Sequence, residues 1–197
     1  MIQFLSYLVN GIGLGSVYAI IALGYSMVYG IAKMLNFAHG DVIMIGAYIS
    51  FCATQYWGLP PAVSVLAAMV VCTVLGVVIE GLAYKPLRQA SSLAVLITAI
   101  GSALAAIAGV LLCSTYPVLM PTTGSMPGIK AFTAAVFGGI GSIPGALLGG
   151  VLLGIIEILG KAYVSTELGD ALVFGVLIIV LLVKPTGLLG KKIHEKV

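Results

Sequence analysis

Charged residues are scarce in this sequence: Lys, Arg, Asp and Glu together make up 8% of its 197 residues, whereas 61% are hydrophobic. Soluble domains are usually about a quarter charged, so the composition excludes an ordinary soluble domain. The apolar runs are long and unbroken and do not alternate with polar residues, which excludes a transmembrane β-barrel. The sequence therefore predicts an all-α, polytopic membrane protein whose first partner is the lipid bilayer.

Residues that carry chemistry are also few. The chain has three cysteines and two histidines, and neither type has the spacing of a metal site. Residues 187–192 lack the spacing and the Ser or Thr of a phosphate-binding loop, and Gly139-Ile140-Gly141 is followed by Pro144 where a dinucleotide fingerprint needs Gly. The sequence thus predicts no enzyme, cofactor or metal, and a net charge of +3 requires no nucleic acid.

The few charges mark the ends of the apolar runs, because a charge at mid-bilayer costs roughly 2.5 to 3.5 kcal/mol on the insertion scale. About 20 residues cross the hydrocarbon as a helix, so a single domain over residues 1–197 with six to seven membrane segments is predicted. These segments are residues 4–32, a hairpin within 41–80 that is broken at 57–61, 93–113, a short pass at 129–138, a return at 145–159, and 168–183, with a loop at 114–128.

Basic residues fall mainly on one side of the membrane in this alternation, and only Lys130 and Lys161 fall on the other. The basic side carries Lys33, Lys85, Arg88, Lys184, Lys191, Lys192 and Lys196. Because cytoplasmic loops carry an excess of Lys and Arg, we expect the amino terminus outside and the carboxyl terminus in the cytoplasm. The glycine-rich turn near residues 138–145 is then expected on the cytoplasmic face.

Glycine is abundant between Lys130 and Glu157, and it recurs there at four-residue spacing. Small residues at this spacing let transmembrane helices approach closely. Two such rows are predicted on one helix: Gly141, Gly145 and Gly149, and beside them Ala146, Gly150 and Gly154. We expect helix packing through Gly11, Gly15, Gly149, Gly150 and Gly154, and a turn where Gly138, Gly139, Gly141 and Pro144 interrupt the helical pattern.

One face of the first helix combines small and aromatic residues at steps of three and four: Gly11, Gly15, Tyr18, Ala22, Tyr25 and Tyr29. Tyr18 and Tyr25 are candidates to line a translocation pathway. Packing with an interfacial aromatic belt is the alternative, and we favour it for Tyr29. Glu80 and Glu157 lie near span ends, where ionisable residues are functional candidates, although interface water or a neighbouring Lys would also satisfy them.

Residues 36–41 form the densest polar cluster near a membrane boundary: Asn36, Phe37, Ala38, His39, Gly40 and Asp41. The residues alone favour a helix start here, since Gly40 gives the turn its freedom and Asp41 suits the positive end of a helix dipole. Further ligands at suitable spacing for a metal site are missing.

Four separated segments resemble one known family: GSVYAIIALGYSMVYGI at 15–31, NFAHGD at 36–41, KAFTAAVFGGIGSIPGALLGG at 130–150 and KPTGLLG at 184–190. Together they resemble the inner-membrane permease subunit of the bacterial branched-chain amino acid ABC importers. The resemblance implies a chain in the bacterial inner membrane that carries leucine, isoleucine or valine without altering it. It also implies three kinds of partner protein: a second homologous permease, two cytoplasmic ATPase subunits that hydrolyse ATP, and a periplasmic amino-acid-binding protein.

The same resemblance assigns roles to two segments. The turn corresponds to the loop that docks on an ATPase, with Gly138, Gly139, Gly141, Ser142, Pro144 and Gly145. The polar cluster corresponds to a family signature, with Asn36, Phe37, His39, Gly40 and Asp41.

The chain departs from the family in length, since members are roughly a third longer or more, enough for two more crossings. We expect an internal deletion near Gly101 to Ala103, where residues 96–101 resemble the start of the fourth helix of the family and 103–112 resemble a later one, giving a hybrid span at 93–113. Two alternatives to a working permease therefore stay open. One is a transport-inactive remnant that still docks an ATPase or the sister permease. The other is a gradient-driven carrier, although the internal repeat expected of one is not evident.

Overall fold

The computed structural model describes residues 2–32, 36, 38–84, 92–116 and 118–190. Every regular element in these residues is helical, so the all-α prediction is confirmed. A short π-helical turn, Glu80–Tyr84, follows α3. The α-helices are α1 (Ile2–Ala32), α2 (His39–Gln55), α3 (Pro61–Ile79), α4 (Ser92–Thr115), α5 (Ser125–Gly138), α6 (Ile143–Tyr163) and α7 (Gly169–Val183).

Four segments of these helices are long and apolar enough to cross a membrane, and α7 is a shorter apolar helix. The prediction of a multi-pass helical membrane protein is confirmed. The four segments are Ile2–Ile31, Pro61–Leu82, Leu93–Thr115 and Ile143–Tyr163. The 17 residues of α2 and the 14 residues of α5 are shorter than the roughly 20 needed to span the hydrocarbon as straight helices.

The predicted hairpin of α2 and α3 turns where its sequence demands it. Gly58 has a φ of 61°, a backbone conformation that glycine adopts without steric cost. Pro61 begins α3, a position at which the missing N–H of proline costs no helical hydrogen bond. The break predicted at residues 57–61 therefore lies between two helices, as expected.

Two predicted boundaries are wrong. The loop expected at 114–128 is shorter, since α4 continues to Thr115 and α5 begins at Ser125. Pro127 is accommodated there because the N–H groups of the first helical turn have no partner within the helix. The return helix likewise begins at Ile143, not at residue 145, so Pro144 and Gly145 belong to its first turn.

Helix α1 occupies the centre of the fold, packed against α4, α5 and α6, while α2, α3 and α4 pack on one another. Fully buried side chains such as Ile21, Ile43 and Leu153 form the core between them. The outer faces of α3 and α7 are apolar and exposed, with Val70 and Ile179 as examples. Lipid can cover such faces, because it is as apolar as these side chains.

Candidate functional site

The α5–α6 turn is confined to residues 139–142. Gly139 and Gly141 have φ values of 108° and 85°, in the region that only glycine occupies readily. The side chain of Ser142 accepts a hydrogen bond from the Gly145 N–H at 3.3 Å and caps α6. The six residues predicted to dock a partner are therefore not all in the turn, since Gly138 ends α5 and Pro144 lies in the first turn of α6. Among the six, Gly141 and Pro144 are exposed.

Residues 184–190 brace this turn from the side. The Leu188 N–H donates to Phe137 O at 2.9 Å, and the Leu189 N–H donates to Gly138 O at 2.8 Å. Helix carbonyl groups at a C-terminus have no partner within the helix, so this segment satisfies two of those in α5. Gly190 also packs directly against Gly139. Residues 184–190 thus hold the α5–α6 turn in place at one end of the bundle.

Helix α2 begins at His39, within the polar cluster, so the helix start that the residue pattern favoured is present. Asn36 is buried, its Oδ1 accepts from the Ala38 N–H at 3.1 Å, and its backbone oxygen accepts from the His39 N–H at 3.2 Å. Gly40 is buried and Asp41 is exposed in the first turn of α2. Phe37, part of the predicted signature, lies outside the described residues. No group of three or more metal-ligating side chains occurs where the structure describes the chain.

The His39 imidazole is buried against α1. Its ring centroid lies 4.5 Å from that of Tyr25, and a Cβ added at Gly24 would lie 2.8 Å from His39 Nε2. Within the described ranges, His39 Nε2 has no hydrogen-bond partner. The ring therefore packs between α1 and α2.

The starts of α2 and α5 meet through glycine. A Cβ added at Gly40 would lie 3.1 Å from Gly124 O, and one added at Gly128 would lie 3.1 Å from the Gly40 Cα. This contact between two helix starts was not predicted. Gly124 and Gly128 have the four-residue spacing of close helix contacts. They fall within the predicted loop at 114–128, where no helix packing was expected.

The glycines of α1 and α6 lie at their mutual interface. A Cβ at Gly15 would lie 2.6 Å from Val151 O, and one at Gly11 would lie 2.9 Å from the Ile155 Cα. Gly150 and Gly154 face α1 in return, while Gly149 faces α5. The structure therefore places these five glycines where two backbones touch, whereas Gly141 lies in the turn outside the helical row.

Glu157 is the centre of a buried ion-pair cluster that joins four helices. Lys130 of α5 and Lys161 of α6 donate to Glu157 Oε1 at 2.7 and 2.5 Å. Lys130 also lies 2.6 Å from Asp170 Oδ1 in the first turn of α7, and the Tyr18 hydroxyl of α1 donates to Glu157 Oε2 at 2.9 Å. Of the roles considered for Glu157, the structure therefore shows pairing with neighbouring lysines.

The cluster as a whole was not predicted from the sequence. The i,i+4 spacing of Glu157 and Lys161 was a usable signal, but Lys130 and Asp170 come from other helices and needed the packing. The second acidic candidate, Glu80, is 2% exposed, and its Oε1 has no partner among the residues that the structure describes. The nearby basic residues Lys85 and Arg88 lie outside that part of the chain.

Tyr18 and Tyr25, the predicted pathway residues, line two different cavities. Tyr18 borders a cavity of about 250 Å³ that also meets the ion-pair cluster. Tyr25 borders a cavity of about 450 Å³ beside Gly40 and Gly128. A larger groove of about 770 Å³ runs between α1 and α4 and shares Leu14, Leu112 and Tyr116 with the Tyr18 cavity.

Comparison with known proteins gives a consistent result. The family model described as "Branched-chain amino acid transport system / permease component" matches residues 7–99 and 89–181. The high-affinity branched-chain amino acid transport system permease protein LivH of Escherichia coli K12 is 35% identical over 303 aligned residues, covering 100% of this chain and 98% of that protein. BraD of Pseudomonas aeruginosa, described in the same words, is 35% identical over 302 residues, covering 99% and 98%. No solved structure matches the chain.

The alignment also measures the difference in length. It spans 303 positions, whereas this chain has 197 residues, so about a hundred positions of the E. coli protein have no counterpart here. The family model matches in two parts that meet at residues 89–99. The site of the join predicted at Gly101 to Ala103 stays a prediction.

Proposed function

This chain belongs to the permease family of branched-chain amino acid transport systems, and from that membership we propose that it is a permease subunit of an ATP-driven importer. Its cargo would be leucine, isoleucine or valine, moved across the inner membrane without chemical change. The observation that carries the proposal is the 35% identity to LivH over the full length of this chain. The four apolar helical spans support a multi-pass location in that membrane.

The partners follow from the same proposal. ATP hydrolysis would belong to two cytoplasmic ATPase subunits, and a second homologous permease would complete the pathway. A periplasmic binding protein would deliver the amino acid. Lys184 supports the cytoplasmic orientation of the carboxyl end, because it follows α7 at the end of the bundle that carries the 139–142 turn.

The 139–142 turn is proposed as the surface that docks an ATPase. It is exposed at Gly141, has a single bulky side chain, Ile140, and is braced by residues 184–190. A short turn of glycines lets a partner approach its backbone, and bracing would let the turn transmit a push to α5 and α6 together. A larger residue at Gly139 or Gly141 is therefore expected to uncouple ATP hydrolysis from transport.

Co-expression with the sister permease and the ATPases tests this function. We expect the ATPases to co-purify with the wild-type chain, and their hydrolysis rate to rise when leucine-loaded binding protein is added. Gly141→Leu should lose this stimulation, whereas Gly175→Leu should keep it, since nothing lies within 4 Å of a Cβ at Gly175. Gly141→Ala separates the strain of a positive φ from added bulk. Normal uptake by Gly141→Leu would contradict the docking role.

The missing segment favours a second candidate, a remnant that docks partners without transporting. About a hundred positions of its relative are absent from this chain, enough to remove membrane crossings. In the same experiment a remnant would retain the ATPases, but bound leucine would not stimulate them. Leucine transport that continues without any ATPase would instead indicate a gradient-driven carrier.

A further inference from the structure

The ion-pair cluster at Glu157 is unusual for its surroundings. Glu157 and Lys130 are 1% and 6% exposed, inside a bundle of apolar helices. Moving ions out of water costs several kcal/mol each, and a buried pair recovers this only with very good geometry. Ionisable groups in membrane segments therefore mark functional sites by default. Packing alone gives no reason for charges here, because apolar side chains would serve it as well.

The hydrogen bonds within the cluster leave part of its capacity unused. A lysine ammonium has three donors, and a carboxylate has about four acceptor positions. Lys130 Nζ uses two donors, on Glu157 and Asp170, and Lys161 Nζ uses one on Glu157, with Asp170 4.0 Å away. Glu157 accepts three bonds, from the two lysines and Tyr18. Counted over the described residues, donors on both lysines and one acceptor position on Glu157 remain.

Lys130, Glu157 and Lys161, which hold this unused capacity, line a cavity of about 250 Å³ and give it a charged wall. Its lining also includes the apolar side chains of Leu14, Leu112, Met126 and Pro127. Pockets for drug-sized ligands measure about 300–1,000 Å³, so this cavity suits a smaller molecule. It also adjoins the groove between α1 and α4, which provides a route of entry.

We infer that this cavity is a binding site for a zwitterionic aliphatic amino acid. The α-carboxylate would accept hydrogen bonds from Lys130 and Lys161, and the α-ammonium would donate to Glu157. The branched side chain would lie against Leu112 and Met126. This inference deepens the proposed function and rests on it, since it places the cargo at a particular point of the permease.

Charge balance favours a zwitterion over a simple anion or cation. The cluster contains two lysines, one glutamate and one aspartate, so it is neutral as a whole. A zwitterion brings no net charge into the apolar interior, whereas an anion or a cation does, at a high desolvation cost. A molecule that lacks either charged group also leaves a polar group of the cavity unpaired, and such omissions are strongly disfavoured.

Saturation-transfer NMR on the full chain in lipid nanodiscs tests the inference with leucine as the probe. Two analogues each lack one charge: 4-methylpentanoate has no ammonium group and 3-methylbutylamine has no carboxylate. We expect a signal for leucine that is about tenfold stronger than for either analogue, the ratio expected when a charge-assisted hydrogen bond is lost.

Two variants probe the two walls of the cavity. Lys161→Gln removes the positive charge of a side chain that is 32% exposed, and Met126→Trp fills the apolar wall from a side chain that is 43% exposed. Both should reduce the leucine signal about tenfold. The matched controls, Glu167→Gln and Leu152→Trp, are exposed residues that do not line the cavity, and they should keep the signal. If Lys161→Gln fails to fold by circular dichroism, Met126→Trp decides.

The outcomes separate this site from the function itself. Absence of a leucine signal from the wild-type chain, equal signals from the analogues, or full signals from both variants would overturn the inference. ATP-dependent uptake by the complete assembly is measured in parallel. Uptake that is insensitive to both variants would overturn the site and leave the permease function standing. Leucine binding that is lost in both variants, with no uptake by the wild type, would support the site and contradict the function.

Discussion

The contact between α1 and α6 predicts opposite effects for the same substitution at two nearby glycines. In Gly15→Ala the new Cβ would lie 2.6 Å from Val151 O and 2.8 Å from the Val151 Cα. Comfortable C···O contacts are about 3.3–3.6 Å, so α1 and α6 must separate by about 0.7–1 Å. Backbone atoms cannot rotate away as a flexible side chain can. At Gly13, two positions earlier, nothing lies within 4 Å of an added Cβ.

The magnitude follows from what the separation costs. A gap of about 0.5–1 Å forfeits a quarter to a half of the dispersion energy of the atom pairs it affects, and overpacking typically costs about 1–3 kcal/mol. We therefore expect Gly15→Ala to lower the free energy of unfolding by about 1–3 kcal/mol. Gly13→Ala should raise it by up to about 1 kcal/mol, because alanine is the better helix former.

Unfolding by sodium dodecyl sulfate in mixed micelles, followed by far-ultraviolet circular dichroism, measures both values. The two variants differ only in position, so composition and helix propensity are matched. Equal shifts in the two variants, or a stabilised Gly15→Ala, would refute the claim that backbone contact at Gly15 holds these helices together.

Further predictions concern the ion-pair cluster, the cap of α6 and the 184–190 segment that braces the α5–α6 turn. Glu157→Gln should destabilise the protein by on the order of 3 kcal/mol, because it leaves the buried Lys130 ammonium without its charged partner on α6. Asp170→Asn, at a side chain 42% exposed, should cost less than about 1 kcal/mol. The micelle unfolding assay checks both. Ser142→Ala should cost about 1 kcal/mol by removing the cap of α6, and Ser142→Asp should restore most of it. Gly187 has a φ of 74°, and a Cβ added there would lie 2.5 Å from Val136 O. Gly187→Ala should therefore detach residues 184–190 from α5, so the amides of Leu188 and Leu189 should exchange hydrogen faster. Unchanged exchange there would show that this bracing is unimportant.

Much of the helical architecture could be predicted from the sequence because its signals are local. Apolar runs and charges at their ends fixed α1 and α4 to within a few residues, and the Gly58 and Pro61 break separated α2 from α3. The start of α5 differs from the predicted loop end because Pro127 lies in the first helical turn, where a missing N–H is harmless.

The candidate site was less accessible, because its parts meet only through packing. The glycines of α6 indicated close contact, but not that Gly150 faces α1 while Gly149 faces α5. The partners of Glu157 come from α1, α5 and α6, with Lys130 lying 27 residues earlier in the chain. No local pattern specifies such a meeting, since it depends on where neighbouring helices stop.

ATP-dependent uptake of radiolabelled leucine into proteoliposomes tests the central claim most directly. The vesicles would hold this chain, its sister permease, both ATPases and the binding protein, with a full-length relative run alongside. We expect leucine accumulation that requires ATP and disappears when this chain is omitted. No accumulation, while the ATPases remain bound and the full-length relative transports, would contradict the proposed function and indicate that this chain binds its partners without a working pathway.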